Sequence, residues 1–178
     1  MSECDVEPVR LIAGFGTNGA RIVDLYERQY GASDSPAKFR TFSRDYLNKG
    51  LDGYYQFDEC EGKLLNGALD DVERVLVVVC AGGNAGTTMA RFMTLFARSK
   101  NIPVEVVMTS ALYWEGFTRT ARSKALFHDL LAMGAEVHKI SGELIFKNDE
   151  MHLAEGMGLM DAQMLRQIDK WASEVALI

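Results

Sequence analysis

The feature that most constrains the fold is an unbroken apolar run, VLVVVC at residues 75–80, which is followed at once by a glycine-rich segment at residues 82–88. Continuous aliphatic and β-branched residues are typical of a parallel strand that helices cover on both faces. Apolar residues at helical spacing follow over residues 89–98. The three segments together predict a buried strand, a glycine turn and a helix.

The same order recurs along the chain. Further strands are predicted at residues 9–14, 38–42, 54–57, 104–109 and 136–140, and further helices at residues 20–30, 118–133 and 161–175. Asn101 and Gly134 are the stop signals of two helices. Alternating strands and helices predict an α/β fold with a three-layer parallel sheet in one domain, residues 1–178. In such sheets, ligands bind beyond the carboxyl ends of the strands.

A first glycine turn, GFGTNG, follows the first predicted strand and matches the pattern GxGxxG. Between a strand and a helix, this pattern is typical of a site where backbone N–H groups and the helix dipole hold a phosphate. The motif is short, so an alternative stays open in which the glycines only permit a tight turn. The candidate phosphate-binding residues of this turn are Gly14, Phe15, Gly16, Thr17, Asn18, Gly19 and Ala20.

The second glycine turn repeats this chemistry and adds two hydroxyl groups. Two such turns at one sheet edge predict a bound di- or triphosphate. The chain has no GxxxxGK[ST] motif, so backbone amides would meet the phosphate charge. Mg²⁺ would assist, but no tight carboxylate cluster in the sequence identifies its ligands. The candidate residues of the second turn are Gly82, Gly83, Asn84, Ala85, Gly86, Thr87 and Thr88.

Composition narrows the classes of partner. The formal net charge is −6, which argues against nucleic acid as the main partner. Three widely spaced cysteines support neither a disulfide framework nor a zinc site, and the three histidines lack metal-ligand spacing. The acidic first residues and the short apolar runs predict neither export nor a membrane anchor, so a cytoplasmic protein is expected.

From residue 75 to residue 140 the sequence resembles, without a gap, the nucleotide-binding core of the tubulin and FtsZ family of GTPases. In that family a strand leads into GGGTGTG, and a later strand ends in VVTKPFxFEG. Four positions of the first motif are kept here, at Gly82, Gly83, Gly86 and Thr87, and the T and EG of the second are kept at Thr109, Glu115 and Gly116. The resemblance implies a Rossmann-like domain that binds GTP or GDP.

The resemblance also implies roles for residues outside the glycine turns. Glu115 would lie near the ribose and Arg119 near the phosphates, although both could equally be solvated charges on the surface. Asp45 would match the family's NTD loop, or act as a turn residue. Gly142 stands where the family has a ribose-contacting asparagine, and Gln163 where it has the guanine-stacking phenylalanine. One turn beyond Gln163, the amide of Gln167 could reach a base edge.

Two departures from the family weaken the case for catalysis. The family's loop for the terminal phosphate, which precedes the strand at residues 75–80, is almost absent, and the resemblance implies that a helix of the family is missing there. The family's NxDxxD loop follows its central helix, whereas this sequence stops at Ile178. The sequence therefore predicts no catalytic residue and no self-sufficient GTP hydrolysis. We expect instead a regulator of a full-length FtsZ-like filament or of cell division, with that filament protein or a second copy as partner.

Two further hypotheses stay open. The first is an NADP-binding oxidoreductase of Rossmann type, because GxGxxG is followed, after the second strand, by Ser43 and Arg44, where a 2′-phosphate would be met. No YxxxK follows, since the residue four after Tyr113 is Phe117. The second is a degenerate interaction module that binds no nucleotide. Titration with GTP, GDP and NADPH distinguishes the three.

Overall fold

The computed structural model describes residues 9–31, 37–43, 57–147 and 150–174. Its elements alternate between strands and helices along the chain. In order they are β1 (Arg10–Phe15), α1 (Gly16–Tyr30), β2 (Ala37–Phe42), α2 (Glu59–Gly67), β3 (Arg74–Cys80), α3 (Asn84–Ser99), β4 (Val104–Thr109), α4 (Phe117–Ala132), β5 (Glu136–Ile140), α5 (Gly142–Ile145) and α6 (Leu153–Ser173). A 3₁₀ turn, Tyr113–Glu115, precedes α4.

The five strands form one parallel sheet in the order β2-β1-β3-β4-β5. All carboxyl ends therefore meet at one edge, which we call the carboxyl edge, and all amino ends at the opposite amino edge. From β1 the chain crosses to β2 on one side and then returns to β3, β4 and β5 on the other side, as in doubly wound folds. The predicted Rossmann-like α/β fold is confirmed.

Helices cover both faces of the sheet because its strands are apolar on both sides. On one face, alternate residues of β1, β3 and β4 pack with α2, α3 and α4 around Met93, Leu126 and Leu130. On the other face, the intervening residues pack with α1 and α6 around Ile22, Met164 and other buried side chains. Strands β1 and β3 are buried at nearly every position, which explains the continuous apolar run in β3.

Helices α1 and α6 lie side by side and run in the same direction. Arg21 donates two hydrogen bonds to Asp161, at 2.9 and 2.8 Å. Further along both helices, the Tyr26 hydroxyl of α1 lies 3.2 Å from Asp169 Oδ1 of α6. Burial and the nearby Asp169 carboxylate raise the pKa of Tyr26 to about 12. At the last turn of α6, Arg10 of β1 donates to the carbonyl of Ala172.

Several helix boundaries differ from the sequence-based prediction. Helix α1 begins at Gly16 rather than residue 20, and α6 begins at Leu153 rather than residue 161. Glycines at the start of both helices hide the true beginnings, because glycine has low helix propensity and packing overrides it here. The strand predicted at residues 54–57 lies outside the described residues except for Phe57, which is not in a strand.

The sequence patterns identified no helix between Asp45 and the strand at residues 75–80, and the structure has α2 there. Its start is fixed by a capping box in which the Asp58 side chain accepts from the Glu61 N–H and the Glu61 side chain accepts from the Asp58 N–H. Only Leu65 of this helix is buried, so hydrophobic periodicity could not reveal it.

The predicted stop signals are confirmed. Asn101, just after α3, has a φ of 59°, and Gly134, just after α4, has a φ of 78°. Both residues adopt the left-handed conformation that ends helices. Among the described residues, no helix is long and apolar enough to cross a membrane.

Candidate nucleotide site at the carboxyl edge

The two glycine turns lie side by side because they follow adjacent strands. β1 leads directly into α1 with Phe15 as the N-cap residue, and β3 leads through three residues into α3, of which the last, Gly83, is the N-cap residue. A methyl group on Gly86 would lie only 2.9 Å from Cα of Gly16 and 3.2 Å from the Phe15 carbonyl oxygen. The first turns of the two helices thus touch backbone to backbone.

Neither of these helix starts carries compensating negative charge. No side chain caps α1 or α3, and neither helix has an acidic residue in its first turn. The first N–H groups of a helix have no partner within the helix, and the helix dipole makes that end positive. Two such ends in contact form an electropositive backbone surface, which suits an anionic group such as a phosphate.

The glycines of the first turn are required for different structural reasons. A methyl group on Gly14 would lie 2.5 Å from the Gly19 carbonyl oxygen, and one on Gly19 would lie 2.6 Å from the Val78 carbonyl oxygen. Gly14 and Gly19 are therefore needed where α1 packs closely on the sheet, a structural reason that involves no ligand. Gly16 has a φ of 71° and faces Gly86. Of these three glycines, Gly16 is the one that contacts the second turn.

The remaining residues of the first turn divide between core and surface. Phe15 is fully buried and stacks on Phe42, with ring centroids 5.2 Å apart, so only its backbone can face a ligand. Ala20 is also buried. Thr17 and Asn18 are exposed in the first turn of α1, where their N–H groups and side chains are accessible.

The second turn is held in place by one of its own hydroxyl groups. Gly82 has a φ of 112°, which favours glycine, and its N–H donates to Oγ1 of the buried Thr87 at 3.2 Å. Thr87 therefore shapes the loop, and its predicted role as a donor to phosphate stays a prediction. A methyl group on Gly83 would extend into open space, with no contact within 4 Å. Asn84, Ala85 and Thr88 are half-buried.

Arg119 lies beside this loop and Glu115 pairs with it, whereas their places near phosphates and a ribose stay predictions. The carbonyl oxygen and Cβ of Arg119 would lie 3.3 and 3.4 Å from a methyl group on Gly82. Nε of Arg119 donates to Glu115 Oε2 at 2.5 Å, and Glu115 Oε1 accepts the Leu112 N–H at 2.9 Å. Both carboxylate oxygens of Glu115 are thus engaged within the protein. The guanidinium of Arg119 is about half exposed and remains the accessible charge.

The remaining predicted site residues are Gly142, Gln163, Gln167 and Asp45. Gly142 is buried at the start of α5, where a methyl group would lie 2.2 Å from Leu112 Cδ2, so its glycine serves packing. Gln163 is exposed and Gln167 half-buried on α6. Their roles toward a base stay predictions. Asp45 and Arg44 lie outside the described residues.

Sequence reasoning gave little weight to the aromatic side chains of this edge. Tyr113, Trp114 and Phe117 are 72%, 45% and 89% exposed, and Trp114 packs edge-on against Phe146 with ring centroids 5.1 Å apart. Phe117 is the first residue of α4. In the sequence, the signal for it was a large apolar residue in the loop predicted before that helix. Cys80, at the end of β3, is kept as a neutral thiol because burial raises its pKa.

Comparison with known proteins supports the fold. No protein-family model matches the sequence, and no curated protein matches it significantly. Among solved structures, an FtsZ dimer from M. jannaschii matches with a TM-score of 0.78 at 15% identity, covering 95% of this chain and 55% of that chain. CetZ2 from Haloferax volcanii, as a GTPγS-bound protofilament, matches with a TM-score of 0.64 at 17% identity, covering 93% and 58%.

TubZ from bacteriophage PhiKZ, also as a protofilament, matches with a TM-score of 0.61 at 12% identity, covering 91% of this chain and 55% of that chain. The chain therefore spans a little over half the length of these solved structures. At such low identities the similarity concerns the fold. The resemblance found in the sequence is confirmed at that level: the chain has the FtsZ/tubulin-like fold over a region that corresponds to just over half of an FtsZ chain.

Proposed function

We propose that the carboxyl edge binds a guanine nucleotide, GTP or GDP, with its phosphates against the first turns of α1 and α3. The observation that carries this proposal is the contact between Gly16 and Gly86, which brings two uncompensated helix starts together at the ends of adjacent strands. The solved structures with this fold include a GDP-bound CetZ1 and a GTPγS-bound CetZ2 from Haloferax volcanii. This similarity supports guanine over other bases.

The side chains near the two turns fit a phosphate better than a metal ion. Arg119 presents a guanidinium beside Gly82, and a phosphate could compete with Glu115 for it. An Mg²⁺ ion bound with the nucleotide would take oxygen ligands mainly from the phosphates and water. The proposal assigns no catalytic residue to the described part of the chain.

Calorimetric titration with GTP, GDP and NADPH tests this function. We expect micromolar or tighter binding of GTP and GDP, with and without Mg²⁺, and no binding of NADPH. Binding of NADPH alone would instead favour the oxidoreductase hypothesis. An absence of heat with every nucleotide would contradict nucleotide binding and favour the interaction module.

A second role concerns assembly in the cytoplasm. The exposed side chains of Tyr113, Trp114 and Phe117 form an apolar surface next to the candidate nucleotide site. Large exposed aromatic groups are typical of interaction surfaces. The solved structures with this fold are described as a dimer and as protofilaments. We therefore propose that this surface contacts a full-length FtsZ-like protein or a second copy of the chain, and so regulates a filament used in cell division.

Co-sedimentation with polymerising FtsZ tests the second role. We expect a stoichiometric amount of the protein to change the mass of pelleted filament, and Phe117→Ser to reduce that change. Leu64→Ser is the matched control because Leu64 is 66% exposed on α2, which packs on the face of the sheet opposite α1 and α6. An unchanged pellet with the native protein, or equal effects of the two variants, would contradict this role.

A further inference from the structure

A second cluster of functional side chains lies at the opposite edge of the sheet. Glu105 is the second residue of β4, and Glu136 and His138 are the first and third residues of β5. The register pairs Glu105 with Glu136 and Val107 with His138. Side chains two residues apart on a strand lie on the same face of the sheet. Val107 and Ile140 belong to the core on the face that α1 and α6 cover, so Glu105, Glu136 and His138 lie on that face as well.

The ligand atoms of these residues are close together. His138 Nε2 lies 3.3 Å from Glu105 Oε2 and 3.6 Å from Glu136 Oε1. All three atoms lie within 4.8 Å of one another. Ligands at about 2.0–2.2 Å from a tetrahedral zinc ion are separated from one another by about 3.3–3.6 Å. The two distances from His138 already match this separation, and Glu136, whose side chain is 69% exposed, can move toward Glu105.

The least exposed ligand is held in position by neighbouring groups. The other oxygen of Glu105 accepts a hydrogen bond from Arg74, and the Arg74 guanidinium carbon lies 5.4 Å from the centre of the Trp171 ring. The Glu105 side chain is only 14% exposed. A ligating carboxylate that is oriented by a second hydrogen bond is typical of metal sites. Arg74 also offsets one negative charge, so we expect moderate rather than very tight affinity.

We propose that Glu105, Glu136 and His138 bind one divalent transition-metal ion of the zinc class. One imidazole nitrogen with two carboxylate oxygens is a donor set that suits Zn²⁺ or Co²⁺, whereas Mg²⁺ and Ca²⁺ prefer oxygen donors alone. Three protein ligands leave a fourth position for water or a further ligand. The site lies at the amino edge, across the sheet from the candidate nucleotide site, and does not depend on nucleotide binding.

Calorimetric titration of the full chain with Zn²⁺ tests this proposal. We expect one ion per chain, with a dissociation constant in the micromolar range, and at least a tenfold loss of affinity in both His138→Gln and Glu136→Gln. The matched control is His128→Gln, because His128 is exposed on α4 and lies outside the cluster. This control is expected to keep the native affinity. No binding at millimolar Zn²⁺, or equal effects of His138→Gln and His128→Gln, would overturn the proposal.

A spectroscopic measurement separates this site from binding by thiols such as the exposed Cys60. Titration with Co²⁺ is expected to give visible ligand-field bands without a sulfur-to-cobalt charge-transfer band, and His138→Gln is expected to remove those bands. A charge-transfer band that persists in His138→Gln would place the ion on cysteine and overturn the proposal. GTP titration of Glu136→Gln is expected to match the native protein, so the two proposed sites can fail separately.

Discussion

At the amino edge of the sheet charged side chains compensate one another, whereas at the carboxyl edge the positive ends of two helices meet without an acidic partner. Arg74 pairs with Glu105, and His138 lies between Glu105 and Glu136. At the carboxyl edge, Gly16 and Gly86 bring the starts of α1 and α3 into contact. The difference indicates that the amino edge suits a cation held by side chains and the carboxyl edge an anion held by backbone.

Helix α2 shows what a compensated helix start looks like in the same chain. Its N-cap residue Asp58 accepts a backbone hydrogen bond, and Glu59 and Glu61 lie in its first turn. Helices α1 and α3 have none of these features. A capped and acidic start stabilises a helix, and a bound phosphate would supply the same kind of negative charge at the two touching helix ends.

The largest effect is expected from removing the close packing of α1 at the carboxyl edge. In Gly19→Ala, the new methyl group would lie 2.6 Å from the Val78 carbonyl oxygen, so the helix must shift away from the sheet. We expect the free energy of unfolding to fall by about 1–3 kcal/mol or more. In the control Gly67→Ala, no atom lies within 4 Å of the new methyl group. Denaturant unfolding that gave equal stabilities for both variants would contradict this account.

The next effect concerns the contact between the two helix starts. Gly86→Ala places a methyl group 2.9 Å from Cα of Gly16 and pushes the two first turns apart. We expect GTP affinity to fall at least tenfold, about 1.4 kcal/mol. The control Gly158→Ala adds a methyl group to open space on α6 and is expected to leave affinity unchanged. Native GTP affinity in a folded Gly86→Ala variant would show that the contact is not part of the site.

A smaller pair of effects has opposite signs. Asn18→Asp adds a carboxylate to the exposed first turn of α1 and so gives it the acidic start that α2 has. We expect the free energy of unfolding to rise by about 0.3–1 kcal/mol and GTP affinity to fall by a few fold, because the carboxylate competes with phosphate for the same helix end. Asn66→Asp, at the far end of α2, controls for net charge. If stability and GTP affinity both rose or both fell in Asn18→Asp, the proposed competition between the carboxylate and phosphate would be contradicted.

The last prediction concerns Tyr26, which lies in the half of α1 away from the carboxyl edge. Near neutral pH its effect on stability is expected to be the smallest of the four. Burial and the nearby Asp169 raise its pKa to about 12 in the folded state, against an ordinary value near 10. A raised pKa means that its stabilising contribution is complete below pH 10 and is lost as the pH rises toward 12. Tyr26→Phe should therefore flatten the decline of stability between pH 10 and 12. Identical declines in both proteins, measured by denaturant unfolding, would contradict the raised pKa.

The sequence predicted the sheet well because burial on both faces leaves a strong apolar signal. The boundaries of β5 were predicted to the residue, and those of β3 to within one residue. Helix α2 was missed because only Leu65 of it is buried, although the D-x-x-E pattern at Asp58 and Glu61 was visible as a capping box. Local patterns thus reveal elements with a continuous buried surface better than elements on the outside.

The candidate sites depend on contacts that single segments do not contain. The sequence predicted that both glycine turns lie at the carboxyl edge, but not that Gly16 touches Gly86 or that Thr87 holds the loop internally. The cluster at the amino edge was not predicted, because Glu105 and His138 are far apart in the chain and only the register of β4 and β5 brings them together.

The most direct test of the central claim is to map GTP binding through backbone amide chemical shifts in the full chain. We expect the largest shifts in the first turns of α1 and α3, at residues such as Thr17, Asn18 and Gly86, with amides near Glu105 and His138 unchanged. Saturable binding whose largest shifts lie at the amino edge, or no shifts at millimolar GTP, would contradict the assignment of a nucleotide site to the carboxyl edge.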